Sequence, residues 1–147
     1  MHLQRIAKNL PRVLRDVSSY ASEILAQKHK KELISIQQDQ LLSGVRGDGK
    51  NTKQYKSDQY VKRNNKQSAK SYPNRNYYLE GDFFDGMDVA DEGENVLFYS
   101  LDSKSSFLEE EEDNELLGIA PKNIVEVDNI KGFAKELINK VGYELSR

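Results

Sequence analysis

Four aspartates recur at every third residue in the middle of the chain, and this spacing comes closest to a site for metal binding or acid/base chemistry. They are Asp82, Asp85, Asp88 and Asp91. Such a site needs carboxylate oxygens that converge on one point. In an extended strand, residues three apart lie on opposite faces, so these side chains cannot converge without a special loop. The spacing therefore predicts a solvated edge rather than a metal site.

A run of four glutamates, Glu109–Glu112, is the second place where carboxylates could hold a metal ion or dock a partner. Consecutive residues of a helix point in different directions, so four adjacent side chains cannot surround one ion. The run therefore predicts a solvated acidic face on a short helix, with an acidic docking face as the alternative.

The residue types that most other catalytic or cofactor sites require are missing from the sequence. There is no cysteine, and the only histidines are His2 and His29, which excludes disulfides, thiolate metal sites and cysteine nucleophiles. The glycines near Lys50 lack the Lys-Ser/Thr pair of a phosphate-binding loop, so we expect a plain tight turn there. The sequence contains no nucleophile elbow. We therefore predict a protein that is not an enzyme and that uses no cofactor or metal.

Basic residues are concentrated between Arg46 and Arg75, interleaved with Tyr55, Tyr60 and Tyr72. Such a mixture can bind single-stranded nucleic acid, because bases stack on the rings while ammonium groups meet phosphates. The favoured interpretation is an extended basic arm, residues 46–76, which packs its tyrosines on the domain and leaves its lysines in water. The candidate partner-facing or DNA-facing side chains are Lys53, Lys56, Lys62, Arg63, Lys66, Lys70 and Arg75.

Length and composition limit the architecture that surrounds these residues. With 147 residues, of which 37% are hydrophobic and 31% charged, the chain can build one domain with a modest core. We therefore expect a single domain over residues 1–147, with part of its apolar surface covered by other subunits. No apolar run reaches the roughly 18–20 residues of a membrane span, and the N-terminus lacks the apolar core of a signal peptide. We expect synthesis in a cytoplasm and no membrane contact.

Helical periodicity dominates the first third of the chain. Apolar residues recur at spacings of three and four, and they predict a long helix from about Leu10 to Leu42, with residues 1–9 frayed. Pro11 suits the first turn of such a helix. The apolar face lapses near His29. Either the helix bends there, or its overhang packs on a neighbouring subunit.

Aromatic and β-branched residues cluster between turn signals at 77–101, which predicts a small antiparallel sheet built on a hairpin at about 83–101. From Pro121 to Leu145, apolar residues at helical spacing predict a C-terminal helix that packs on this sheet. The predicted class is therefore α+β, with a long N-terminal helix and C-terminal helices packed on the sheet.

The acidic half of the chain also holds the candidate subunit contacts. From Glu80 to Glu115 there are fourteen carboxylates and one lysine, the reverse of the basic arm. Segregated charge of this kind favours head-to-tail association between copies, or binding to a charged partner, although two solvated segments are equally compatible with it. The candidate subunit contacts are the apolar residues Leu79, Phe83, Phe84, Val96, Phe98 and Leu101.

Three segments, taken in order, resemble a small group of proteins from the structural modules of tailed bacteriophages and prophages. Gln38–Gly49 resembles the group's QL-x-x-G-x-x-x-x-G turn, and Tyr78–Phe84 resembles its L-x-x-T-G-D-F segment. Asp102–Pro121 resembles its S-D-x-K-x-x-x-L-E … I-L-G-L-T-P ending. Glu80 and Ala120 stand where the group has threonine, which removes two possible helix caps.

The resemblance implies a virion structural protein of the neck or tail-completion type, a head-tail connector. Such proteins are small α+β subunits without enzymatic activity that form a homo-oligomeric ring between portal or adaptor and tail proteins. The implied location is the neck or tail region of the virion, after synthesis in a bacterial host cytoplasm. The basic arm would reach a neighbouring subunit or contact passing DNA non-specifically. A nucleic-acid-binding accessory protein that acts through the lysine- and tyrosine-rich arm stays as the alternative.

Overall fold

The computed structural model describes residues 2–147. Helices form most of the chain, together with one short β-hairpin. The predicted α+β class is confirmed. In chain order the elements are α1 (His2–Lys28), α2 (Lys30–Leu42), α3 (Asp58–Arg63), α4 (Asp82–Asp85), β1 (Met87–Asp91), β2 (Val96–Ser100), α5 (Ser105–Glu111), α6 (Ile124–Asp128) and α7 (Phe133–Ser146). Short 3₁₀ turns cover Lys66–Ser68 and Pro121–Asn123.

The first helix begins earlier than the sequence predicts. Helix α1 already includes His2, and Pro11 lies inside it, so the expected frayed segment is wrong for residues 2–9, while Met1 lies outside the described residues. The early turns are held by the far end of the chain, because the side-chain amide of Asn9 donates to the Leu145 carbonyl at 3.0 Å. The terminal helix α7 packs along α1 and thereby stabilises its first turns.

The helix is interrupted at His29, in agreement with the alternative in which the predicted helix bends there. His29 has φ −127° and ψ 27°, and helix α2 starts directly after it. Its ring is buried, with Nε2 2.9 Å from a carboxylate oxygen of Glu136 at the start of α7. A buried ring that needs a polar partner on another helix explains why the break falls at this residue.

The hairpin is shorter than predicted. Strands β1 and β2 pair antiparallel from Met87↔Ser100 to Asp91↔Val96, so the predicted span 83–101 narrows to 87–100. Phe83 lies in the single turn of α4, where its carbonyl accepts a hydrogen bond of 2.8 Å from the Ser100 hydroxyl. Gly81, with φ +92°, turns the chain just before α4, and this left-handed conformation ends any strand at that point.

Two groups of buried apolar residues lie on either side of α2. One contains Leu33, Ile36, Val89, Val127, Ile130 and Phe133, and the other contains Leu41, Phe83, Phe84, Met87 and Leu116. The predicted C-terminal helix is divided in two, because Gly132 adopts φ +90° between α6 and α7. Helix α7 lies mainly against α1 rather than against the sheet, although Leu137 packs on the group that contains Val89.

Residues 46–76 fold back on the rest of the chain, so they do not form an extended arm. Bridges pair Val45 with Asn51 and Gln54 with Asn74, and the bridge at Val45 closes the tight turn that was expected near Lys50. Helix α3 begins inside the segment, with the Ser57 hydroxyl accepting from the Tyr60 backbone N–H at 3.2 Å. We call residues 46–76 the basic segment below.

Candidate functional site

The four evenly spaced aspartates do not form a site. Asp82 and Asp85 lie in α4, whereas Asp88 and Asp91 lie in β1. Asp88 accepts from the Tyr99 hydroxyl at 3.1 Å and lies 3.0 Å from the ammonium of Lys30. Among residues 2–147, no group of three or more histidine and carboxylate side chains is placed to hold a metal ion.

The run of glutamates is not a uniformly solvated face, because Glu112 is 0% exposed. The backbone N–H of Lys53 donates to its carboxylate at 3.0 and 3.3 Å, and the hydroxyl of Tyr77 donates to it as well. The guanidinium of Arg46 lies 3.7 Å away. The expectation of solvent is therefore wrong for this residue, since a carboxylate can be buried when donors and a cation replace its water.

Arg46 links the basic and acidic halves inside one subunit. Its guanidinium donates to Asp48 at 2.5 and 3.1 Å and to Asp113 at 3.2 Å. The bonds from Arg46 to Asp48 hold the pKa of the Asp48 carboxyl below its ordinary value. Burial and the bond to Glu112 raise the pKa of Tyr77 above the ordinary tyrosine value. Arg46 thus pairs within the subunit with carboxylates from both halves of the chain.

Beside this cluster the basic segment encloses a half-open cavity of about 320 Å³. Its wall contains four tyrosines, Tyr55, Tyr60, Tyr77 and Tyr78. The rings of Tyr55 and Tyr60 are stacked, with centroids 5.7 Å apart and an interplanar angle of 28°. We call this space the tyrosine cavity.

Three basic side chains and one carboxylate also line the tyrosine cavity. Arg75 pairs with Glu111 at 3.1 Å, so those two charges cancel, and Lys56 is exposed. Lys66 is 7% exposed and donates to the side-chain oxygen of Asn76 at 3.2 Å and to the carbonyl of Tyr78. Both acceptors are neutral, and burial lowers the pKa of Lys66 below its ordinary value.

The structure divides the seven predicted partner-facing or DNA-facing residues. Lys66 is buried, and Arg75 is half-buried in its ion pair with Glu111. The other five, which keep exposed side chains, are Lys53, Lys56, Lys62, Arg63 and Lys70. The lysine ammonium groups on the surface of the segment are therefore fewer than the sequence alone indicates.

The six predicted subunit contacts are divided as well. Phe83 and Phe84 are buried in the core beside Leu41, so they have almost no surface to offer another subunit. Val96 and Phe98 are half-buried on the inner face of the hairpin, packed against the group that contains Leu33. Leu79 and Leu101 are exposed, Leu101 by 75%.

A larger exposed apolar surface lies on α1, where the sequence analysis proposed no site. Leu3, Leu10 and Leu14 are exposed, and with exposed Ala7 they recur at spacings of four, three and four. This is the spacing of an apolar stripe that a second helix can cover. We call these four residues the N-terminal seam. The spacing is visible in the sequence, as part of the apolar periodicity that predicts the long N-terminal helix.

Helix α7, which packs against α1, also carries an exposed apolar side chain. Arg12 pairs with Glu144 near the end of α7, whereas Lys28 pairs with Glu136 near its start, so α1 and α7 are antiparallel. Ile138 on α7 is 69% exposed. The helix pair therefore leaves apolar side chains of both helices without a covering element among the described residues.

Sequence reasoning also missed two buried glutamines on α2. Gln40 donates to the Gly118 carbonyl at 2.8 Å and accepts from the Ala120 N–H at 2.8 Å, and Gln37 accepts from the Gly118 N–H at 2.6 Å. Opposite them, the Gly47 N–H donates to the Glu115 carbonyl at 2.9 Å. A side chain on residue 47 would overlap the Leu117 carbonyl, which explains the glycine. Polar residues at helical core positions were the available signal.

Comparison of the chain with protein-family models, with curated proteins and with solved structures finds no match. None of the helices within residues 2–147 is long and apolar enough to cross a membrane.

Proposed function

We propose that the chain is a non-enzymatic structural subunit of a tailed-phage particle, which forms a ring at the head-tail connector and completes the neck or tail. The phage class rests on the sequence resemblance. The ring rests on the surfaces of the subunit. Its partners are then further copies of the same chain, together with portal or adaptor and tail proteins.

The first support is that the three segments of the resemblance meet in space. Leu41, Phe83 and Leu116, one from each segment, belong to the same buried group. Gln40 from the first segment also binds the backbone of the third at Gly118 and Ala120. Ordered motifs that pack on each other behave as parts of one scaffold rather than as three chance matches.

The observation that carries the ring is a pair of exposed apolar surfaces of opposite charge. The first is the N-terminal seam, which is flanked by the basic residues Arg5 and Lys8, with no acidic residue before Asp16. Arg12 and Arg15 of the same stretch pair within the chain, with Glu144 and Asp16. The second, the acidic surface, consists of exposed Leu101 and Phe107, within the segment 80–115 that holds fourteen carboxylates, and of exposed Leu79 directly before that segment. Two different complementary surfaces on one subunit produce a head-to-tail contact, and repeated contacts of this kind form a ring when the rotation between copies closes and an open filament when it does not.

The test is a charge placed on the seam. In Leu14→Glu, the new carboxylate faces the carboxylates of the neighbouring copy, so assembly should be lost while the fold persists, because Leu14 is 67% exposed. Val125→Glu on α6 is the matched control, since Val125 is exposed but lies outside both surfaces. Light scattering and negative-stain microscopy of the purified proteins measure the assembly.

Particles released by the host that carries the gene supply the second readout. Mass spectrometry should find the chain in wild-type particles and in the Val125→Glu variant, and not in Leu14→Glu particles. A wild-type chain that stays strictly monomeric at high concentration and is absent from particles would contradict the proposal.

The nucleic-acid-binding alternative keeps one supporting observation, the five exposed basic side chains of the basic segment. Binding through them should weaken steeply as salt rises, because counterions are released from the phosphates. A filter-binding titration with single-stranded DNA that finds no affinity at low salt would dispose of this alternative.

A further inference from the structure

The tyrosine cavity has the size and lining of a small-molecule site. Ligand pockets occupy roughly 300–1,000 Å³ and combine apolar or aromatic walls with a few polar groups. At about 320 Å³ the tyrosine cavity lies at the small end of this range, which suits a ligand with one ring system. Its aromatic residues come from two stretches of the basic segment and its flank, at 55–60 and 77–78.

Lys66 supplies the charge that selects the ligand. Buried charges in proteins are ordinarily paired, because transfer from water is costly without a counter-charge. Lys66 is more than nine-tenths buried and lines the tyrosine cavity, yet among residues 2–147 its ammonium donates only to the neutral oxygens of Asn76 and Tyr78. Glu111, the carboxylate in the wall, is already paired with Arg75. An anionic group inside the cavity would supply the missing counter-charge for the Lys66 ammonium.

The stacked tyrosines supply the second element of recognition. Tyr55 and Tyr60 are stacked on each other in the cavity wall, so an outer face of the pair can receive a ligand ring. Tyr55 is further fixed by its hydroxyl, 3.4 Å from the Asn76 oxygen. Planar rings stack on such faces with little sequence or substituent preference. The same Asn76 oxygen therefore ties the stacking wall to the ammonium of Lys66.

We propose that the tyrosine cavity binds a small anion that carries a planar ring, of the size and chemistry of a nucleoside monophosphate, with the ring against Tyr55 and Tyr60 and the anionic group at Lys66. This site is independent of the ring contact proposed above, because neither the N-terminal seam nor the acidic surface contributes to it.

The experiment is a calorimetric titration of the full chain with AMP. Adenosine, which lacks the anion, and inorganic phosphate, which lacks the ring, should each bind more weakly than AMP. In Lys66→Met, affinity for AMP should fall roughly tenfold to a hundredfold, the range for loss of one bond to a charged group. Lys62→Met, on exposed α3, is the matched control and should bind as the wild type does.

Tyr60→Ala provides a second variant, which keeps Lys66 and removes one stacking face, and it should also lose AMP affinity. Once AMP binding is established, a short single-stranded DNA tests whether the end of a strand also enters the cavity: DNA binding that depends on Lys66 indicates that it does, and binding of AMP alone indicates a free nucleotide. The proposal is overturned if AMP does not bind, or if it binds Lys66→Met and Tyr60→Ala as tightly as the wild type.

Discussion

Two buried charged side chains of this chain, Glu112 and Lys66, differ in what surrounds them. Glu112 is fully buried, and its carboxylate meets a backbone N–H, a tyrosine hydroxyl and, at 3.7 Å, the Arg46 guanidinium. Lys66 is buried nearly as deeply, but its ammonium meets only neutral oxygens. The chain therefore compensates one buried charge completely and leaves the other without a counter-charge.

The difference separates a scaffold from a site. Around Glu112 every donor comes from the chain itself, so this cluster ties the basic segment to the acidic helix α5 and its following turn. Around Lys66 a cavity stands where a counter-ion would be expected. Stability should thus depend strongly on Glu112, whereas ligand binding should depend on Lys66.

Removing Glu112, the buried charge that the chain compensates, should have the largest effect on the free energy of unfolding. Glu112→Ala leaves the Lys53 N–H and the Tyr77 hydroxyl without their acceptor. It also removes one of the carboxylates around buried Arg46, which keeps its bonds to Asp48 and Asp113. Loss of one partner of a buried charged cluster costs about 3–5 kcal/mol in free energy of unfolding. Urea denaturation measures it.

Glu110→Ala is the matched control for that variant. Glu110 lies two residues before Glu112, in helix α5, but is exposed, so its removal should change the unfolding free energy by less than about 0.5 kcal/mol. Equal losses in the two variants would show that Glu112 is not the organising acceptor.

Tyr77→Phe tests the same cluster around Glu112 and should have a smaller effect on the free energy of unfolding. Loss of the hydroxyl that donates to Glu112 should cost about 1.5–3 kcal/mol at neutral pH, the range for bonds to charged groups. The raised pKa of Tyr77 adds a pH signature. The folded chain keeps this proton where the unfolded chain loses it, so wild-type stability should fall as pH rises above about 10.

The alkaline fall should be shallower in Tyr77→Phe than in the wild type, whereas Tyr143→Phe, at an exposed tyrosine, should follow the wild-type curve. Parallel curves for the wild type and Tyr77→Phe between pH 9 and 11, roughly the span around the ordinary tyrosine pKa, would contradict the assignment.

Lys66→Met tests the buried charge that has no counter-charge. It should raise the free energy of unfolding, whereas Glu112→Ala and Tyr77→Phe should lower it. Methionine keeps most of the volume and removes a buried charge without a counter-charge, so the ligand-free protein should become more stable by about 1 kcal/mol. Lys62→Met should be neutral. A clear destabilisation by Lys66→Met would mean that the ammonium is compensated in the free chain.

The elements that periodicity defines were predictable from sequence. The helical spacing of α1, the hairpin turn near Gly93 and the α+β class follow from local pattern, because side-chain period reports which face is buried. The start of α1 could not be read locally. Its first turns are held by Leu145, a residue at the other end of the chain.

The candidate sites were less predictable, because they depend on long-range pairing. Lys66 and Glu112 belong to segments whose composition indicates solvent, and each is buried by residues distant in sequence or by a folded loop. Phe83 and Phe84 look like strand residues, yet the left-handed Gly81 places them in a helical turn and in the core. Segments rich in lysine or glutamate carry no local signal of which one member will be buried.

The pKa of the Lys66 ammonium, measured by NMR in the free chain and with AMP bound, tests the central claim about the two buried charges most directly. In the free chain the pKa should lie below the ordinary lysine value, because burial is uncompensated. With AMP bound it should rise, since the anionic group becomes the missing counter-charge. An identical pKa in both states would contradict the claim that the tyrosine cavity is the place of that counter-charge.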